Sequence, residues 1–311
     1  MARAARVTTV GIGLGLVALL IFGCAGGRRH RAQSAPPPAA PAAAAGAGVS
    51  VPTERRLTVG GAQREYWVYV PRGYARDRAA PLLLVLHGGG QNPEKFWQST
   101  NLNQTAEEFN FIAVYPAGSG PLGRVLTWNA GACCAYAQRN NVDDVAFTAA
   151  VIEAVRREWS VDPQRIYVTG ASNGGMMAQR VACELADRIT AAVSVAGPLV
   201  APSCSPKRPV PLLEIHGTAD QNVPYGGGMG SGLMKMNYPS IRQVMSDWAR
   251  RNGCERTSPL RSTKPGLVWE AWGPCRDGSD VVLGTREGGK HEWLPSENRV
   301  IWEFLSQFSR R

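Results

Sequence analysis

A chain of 311 residues with 44% hydrophobic content can bury a substantial core and is long enough for one large domain. Its net charge of +10 raises nucleic acid or an anionic surface as a partner, yet Arg3, Arg6, Arg28, Arg29 and Arg31 precede that domain and the other basic residues are dispersed. No run of Lys and Arg interleaved with aromatics occurs, and no nucleic-acid motif does, so nucleic acid is not an expected partner.

The N-terminus reads as an export signal. MARAAR is basic, VTTVGIGLGLVALLIFG is apolar, and Cys24 follows Ile-Phe-Gly in the manner of a lipoprotein box. Residues 1–24 are therefore read as a signal peptide ending on a lipidated Cys24. Phe22 is bulkier than the residue usual at that spot, which leaves ordinary cleavage or an uncleaved anchor as alternatives. Residues 25–50, rich in Pro and Ala, hold too little hydrophobic bulk to fold and read as a flexible, partly polyproline tether. The expected location is the outer side of a membrane, anchored or released, with the globular domain in residues 51–311.

Within that domain, REYWVYVP and APLLLVLHGGG read as a hairpin-like pair of strands, and FIAVYP as a third, buried one. Residues 142–163 show helix spacing, with Asp143 or Asp144 placed to cap the N-terminus and Pro163 beyond the end. RIYVTG is a strand that runs directly into GASNG and then into a second helical pattern. AAVSVAG and VPLLEIHG follow as short apolar strands. Residues 226–237, GGGMGSGLMKMN, suit either a lid with adaptable methionines or a surface loop. A helix over 238–252, a strand pair LVWEAW and DVVLGTRE, and a helix over 296–308 complete the domain. Continuous apolar runs alternating with helices predict the α/β class: a mostly parallel sheet covered by helices on both faces.

Setting Cys24 aside leaves Cys133, Cys134, Cys183, Cys204, Cys254 and Cys275, an even number in a chain with an export signal, so disulfides are expected. Cys254 and Cys275 flank a hairpin-like segment and are the preferred pair. Four cysteines then allow three connectivities, and the adjacent Cys133 and Cys134 most simply take different partners. Four histidines without ligand spacing predict no metal site, and no cofactor is expected.

The chemistry centres on Gly170-Ala-Ser-Asn-Gly174. A sharp strand-to-helix turn holds its central residue in a strained conformation with the side chain outward, and glycines are needed where other side chains would clash. Ser172 sits at that tip as the candidate nucleophile. A serine hydroxyl needs a base and an acid to orient it. Asp220, in the loop after VPLLEIHG, is the best acid, although an Asx turn also explains its position. The base follows by elimination. His30 lies in the tether, while His87 and His216 each end a strand before glycine and read as hydrogen-bonding or packing residues near the site. His291 lies in a loop before the last helix. The amide of Asn173 and that of Gly89 or Gly90 in HGGG are the candidate donors to an oxyanion. Of nine tryptophans, Trp97, Trp128 and Trp293 fall in or beside motif loops where flat rings line a cleft or pack in the core.

LHGGGQ, TWNAGACC, NVDDVAF, GASNGGMM, HGTADQNVPY and a late His-x-Trp together resemble the secreted polyhydroxybutyrate depolymerase and feruloyl esterase group, which includes lipoprotein esterases. The resemblance runs from about Thr58 to the C-terminus. It implies an α/β-hydrolase fold and a serine carboxylesterase acting on hydroxyalkanoate esters or acylated plant polysaccharide. It supports Ser172, Asp220 and His291 as a triad in that chain order, and it implies Trp128 and Tyr225 near the substrate; His87 and Trp293, from their places in the chain, are further candidates to line it. The chain departs from the group's Gly-His-x-Trp-Pro in reading Lys290-His291-Glu292-Trp293-Leu294-Pro295. The expected partner is an ester substrate, a polyester oligomer or an acylated polysaccharide, and the expected state a monomer. A peptidase or acyltransferase would use the same triad. A non-catalytic polysaccharide-binding lipoprotein would need none of it.

Overall fold

The computed structural model describes residues 51–310 except 233–234, 257–258 and 265. The expectations for the signal peptide, Cys24 and the tether lie outside the described residues, and part of the 226–237 loop does too. In chain order the elements are β1 (Thr53–Val59), β2 (Ala62–Tyr69), β3 (Ala80–Leu86), α1 (Pro93–Thr100), α2 (Leu102–Phe109), β4 (Ile112–Pro116), α3 (Ala135–Arg139) and α4 (Asp144–Glu158). Then come β5 (Val161–Ala171), α5 (Asn173–Glu184), β6 (Ala191–Val195), β7 (Leu212–Gly217), β8 (Gly228–Met229), β9 (Asn237–Tyr238), α6 (Ile241–Arg251), β10 (Leu260–Lys264), β11 (Leu267–Ala271), β12 (Val281–Arg286) and α7 (Asn298–Ser306).

Among the described residues, ten strands form one sheet in the order β1-β2-β4-β3-β5-β6-β7-β12-β11-β10. The six from β4 to β12 are mutually parallel, and the two at each edge are antiparallel. This is the α/β-hydrolase arrangement. The predicted hairpin between 64–71 and 80–90 does not form, because β4 lies between β2 and β3. β3 is buried on both faces and so belongs at the sheet centre, where a hairpin partner would exclude parallel neighbours. The true partner of β2 is β1, across the two-residue turn Gly60-Gly61, where φ values of +57° and +80° suit glycine and match the twist of paired strands.

Side chains alternate across the sheet as period two requires. Leu82, Leu84 and Leu86 of β3 join one core with α4, α5 and α6, whereas Leu83 and Val85 join a second core with α1, α2 and α7. Asp143 caps α4 by accepting from the Ala146 amide, as predicted, but Asp144 does something else. It is fully buried, accepts from Arg64 at 2.8 Å and from the Asn129 amide at 2.8 Å, and so fastens the TWNAG loop to the sheet. Removing one partner of such a pair strands a buried charge, at a cost of about 3–5 kcal/mol.

The disulfides are Cys183–Cys204, Cys254–Cys275 and Cys133–Cys134. The preferred Cys254–Cys275 pair is present. The expectation of separate partners for Cys133 and Cys134 fails, since Cys183 at the end of α5 faces Cys204, Cα to Cα 5.7 Å, and leaves the adjacent pair to each other. Among the described residues no helix is long and apolar enough to cross a membrane, and no group of three His, Cys, Asp or Glu side chains is arranged to hold a metal ion.

Candidate active site

Parallel strands bring their carboxyl ends to one edge of the sheet, and the loops that leave β3, β5, β7 and β12 there carry Gly88 to Gly90, Ser172, Asp220 and His291. β5 passes into α5 at Ser172, whose φ of 55° and ψ of −122° form a strained conformation rare for a residue with a side chain. The strain persists because the neighbours leave no alternative. The Ser172 amide donates to Val195 O, and a Cβ on Gly170 or Gly174 would collide with the backbone of β3 or of the elbow itself.

Ser172 Oγ lies 2.8 Å from His291 Nε2, and His291 Nδ1 lies 2.7 Å from Asp220 Oδ2. The two supporting loops are stitched together: Thr218 N donates to Arg286 O, Ala219 N to Gly289 O and Gly288 N to Thr218 Oγ1. Arg286 donates to Glu292 O at 2.7 Å, which fixes the chain immediately after the histidine. These contacts hold His291 without the glycine that the family pattern has at position 290. Asp220 satisfies both sequence readings at once. Its Oδ1 accepts from the amides of Asn222 and Val223, an Asx turn, while its Oδ2 faces the histidine. Burial pushes the Asp220 carboxyl up, and hydrogen bonds from His216, His291 and the Val223 amide outweigh it, holding the group well below the ordinary carboxylate range.

A cleft of about 380 Å³ opens over Ser172 and His291, with Gly89, Asn173, Met176, Tyr238 and Trp293 in its wall. Gly90 is corrected as an oxyanion donor, because its amide is already given to Leu126 O at 2.8 Å. The amide of Gly89 makes no such bond among the described residues, and that of Asn173 opens a helix, where amides have no intrahelical acceptor. Trp293 lines the cleft, edge-on to Phe96. His87, Trp128 and Tyr225 do not reach it. His87 is fully buried, with Nδ1 donating to Gly88 O and Nε2 accepting from the Gly118 amide, and burial pulls its pKa down to about 4. Trp128 is fully buried and donates from its indole to His87 O. The Tyr225 hydroxyl is within hydrogen-bonding distance of Thr285 Oγ1 at 2.9 Å, behind the site. Trp97 is core. Sequence reasoning missed Cys134, Asn222, Val223, Gly232 and Tyr238 as cleft residues; Cys134, Asn222 and Val223 lay inside motifs already noted. In the 226–237 loop, Gly228–Met229 pairs with Asn237–Tyr238 and Gly232 borders the cleft.

This fold, with a serine elbow beneath a histidine and an aspartate, defines an α/β-hydrolase. Residues 64–204 match the family described as Esterase PHB depolymerase. The "Putative esterase NocK" of Nocardia uniformis subsp. tsuyamanensis is 33% identical over 259 residues, covering 78% of this chain and 74% of that protein. Feruloyl esterase B of Piromyces equi is 34% identical over 257 residues, covering 79% of this chain; the chain spans only 45% of that enzyme's length. The structure of an acetyl xylan esterase from Aspergillus awamori shares the fold, with a TM-score of 0.60 at 15% identity over 82% of this chain and 99% of that one. The chain belongs to the Esterase PHB depolymerase family.

Asn173 also braces the site, since its Oδ1 accepts from the Trp128 amide at 2.7 Å and its Nδ2 donates to Trp128 O at 3.0 Å. Asn173→Ala orphans the buried Trp128 N–H, while Trp128 O keeps the Cys134 amide at 3.1 Å, and is expected to cost about 1–3 kcal/mol in urea unfolding. A change within about 0.5 kcal/mol, the range of an ordinary surface substitution, would show that the clamp carries no stability.

Proposed function

We propose that this protein is an exported serine carboxylesterase that hydrolyses hydroxyalkanoate esters or feruloyl or acetyl esters of polysaccharide through an acyl-enzyme. The observation that carries the reading is the unbroken hydrogen-bond relay from Ser172 Oγ through His291 to Asp220 at the floor of an open cleft. Names of relatives that include feruloyl and acetyl xylan esterases support the substrate class. Ser172 attacks the ester carbonyl as His291 Nε2 takes its proton, and Asp220 stabilises the imidazolium at Nδ1. The amides of Gly89 and Asn173 receive the oxyanion. His291 then protonates the leaving alcohol and later draws a proton from the water that releases the acid.

Three disulfides support an oxidising compartment, and the lipoprotein-like Cys24 supports attachment to a membrane. Mass spectrometry of the mature chain reads the attachment directly: an acylated Cys24 at the N-terminus is expected, and a mature chain starting elsewhere contradicts it.

Hydrolysis of p-nitrophenyl acetate, p-nitrophenyl butyrate and methyl ferulate by the wild type and by Ser172→Ala tests the mechanism. The variant is expected to lose on the order of 10⁴-fold or more in kcat while remaining folded. Equal turnover by both proteins would overturn the serine mechanism, and the preferred acyl group ranks the substrates.

A further inference from the structure

His216 ends β7 behind Asp220 and is fully buried. Its Nε2 lies 2.9 Å from Val223 O and 3.2 Å from Asp220 Oδ2. A carbonyl oxygen only accepts, so Nε2 carries a hydrogen. Its Nδ1 lies 2.8 Å from Glu214 Oε1, and Glu214 is itself fully buried and surrounded by donors. Gly197 N reaches Oε1 at 3.1 Å, and Gln179 Nε2 reaches Oε2 at 3.1 Å. The Gln179 amide is fixed in that sense from both sides. Its Oε1 accepts from the Trp248 indole at 2.7 Å and its Nε2 donates to Gly197 O at 2.9 Å. Both Glu214 oxygens thus accept a hydrogen bond apart from His216, which favours the carboxylate and a second hydrogen on His216 Nδ1.

We propose that His216 is a positioning residue, an imidazolium locked between Glu214 and Asp220 that holds the Asp220 carboxylate toward His291. The proposal rests on the triad reading above. Asp220 Oδ2 lies between two rings, so the row reads Glu214, His216, Asp220, His291, Ser172, with its first three members buried and of alternating charge. Also facing this cluster are Tyr225, its ring 6.0 Å from His216, and Tyr238 near Asp220, while Gln179 of α5 and Trp248 of α6 stand beyond Glu214. Burial pulls His216 down, but its hydrogen bonds to Asp220 and Glu214 outweigh it and push the pKa up to about 9. The folded value is raised, so this stability is fully present below the unfolded value of about 6.5 and is lost as pH rises through about 9.

Long-range ¹H–¹⁵N spectra of the full chain labelled at its four histidines read the ring states directly. One ring, identified by its loss in His216→Gln, is expected to bear hydrogen on both nitrogens at pH 7 and to lose one near pH 9. A neutral single tautomer at pH 7 would overturn the proposal whatever the turnover, whereas absence of wild-type turnover would fail only the triad reading. His216→Gln leaves Glu214 charged and unpaired, so Glu214→Gln/His216→Gln, which removes both charges together, accompanies it. Both variants are expected to lower kcat at least about tenfold with KM changed less than about threefold, because Asp220 no longer fixes the His291 ring. A rise in KM with kcat unchanged, or a loss no larger than the fraction of unfolded protein, marks a merely structural role and contradicts the proposal.

Discussion

Ser172 is held at a positive φ of 55° because the chain must turn from β5 into α5 within one residue. A conformation of this kind costs about 1–3 kcal/mol, and the surrounding packing has to supply it. The bond from Ser172 N to Val195 O ties the tip to β6, and the close passage of Gly174 beneath β3 leaves no room to relax. The same turn aims the hydroxyl away from the sheet, toward loops that come from β7 and β12, and exposes the first amide of α5. Nucleophile and oxyanion donor are thus consequences of one backbone constraint.

The second requirement is a carboxylate that stays ionised while its side chain is shut off from water. Burial alone would neutralise Asp220. Two backbone amides on one oxygen and two imidazoles on the other reverse that tendency. Each ring has its own support, Glu214 behind His216 and the stitched loops behind His291, so the orientation of the base comes from contacts shared between β7 and the loops that follow β7 and β12. Asp144 plays a comparable part on the other flank of the serine, where its pairing with Arg64 steadies the loop that Asn173 grips.

Much of this was legible in the amino-acid sequence. GASNG between an apolar run and a helical one gave the elbow, and elimination among four histidines gave His291. Strand pairing was less accessible, since β4 enters between β2 and β3 through contacts distant in sequence; the Gly60-Gly61 signal for the β1–β2 hairpin was there to be used. Gly89 and Gly90 looked equivalent until the partner of the Gly90 amide, Leu126 O, was in view. His87, Trp128 and Tyr225 sit in or beside motifs yet turn inward, because a motif records nearness to a site and not which way a side chain points. Glu214 was hidden in an apolar strand, where one charged residue gives no sign of its buried partner.

A fluorophosphonate that reports on an activated serine tests the central claim most directly. The serine oxygen displaces fluoride at phosphorus, and mass spectrometry of the digested chain locates the adduct. A single adduct per chain, on the peptide that holds Ser172 and formed at least about 100-fold more slowly in His291→Ala, is the predicted result. No adduct, an adduct on another serine, or a rate unchanged by the loss of His291 would contradict the relay.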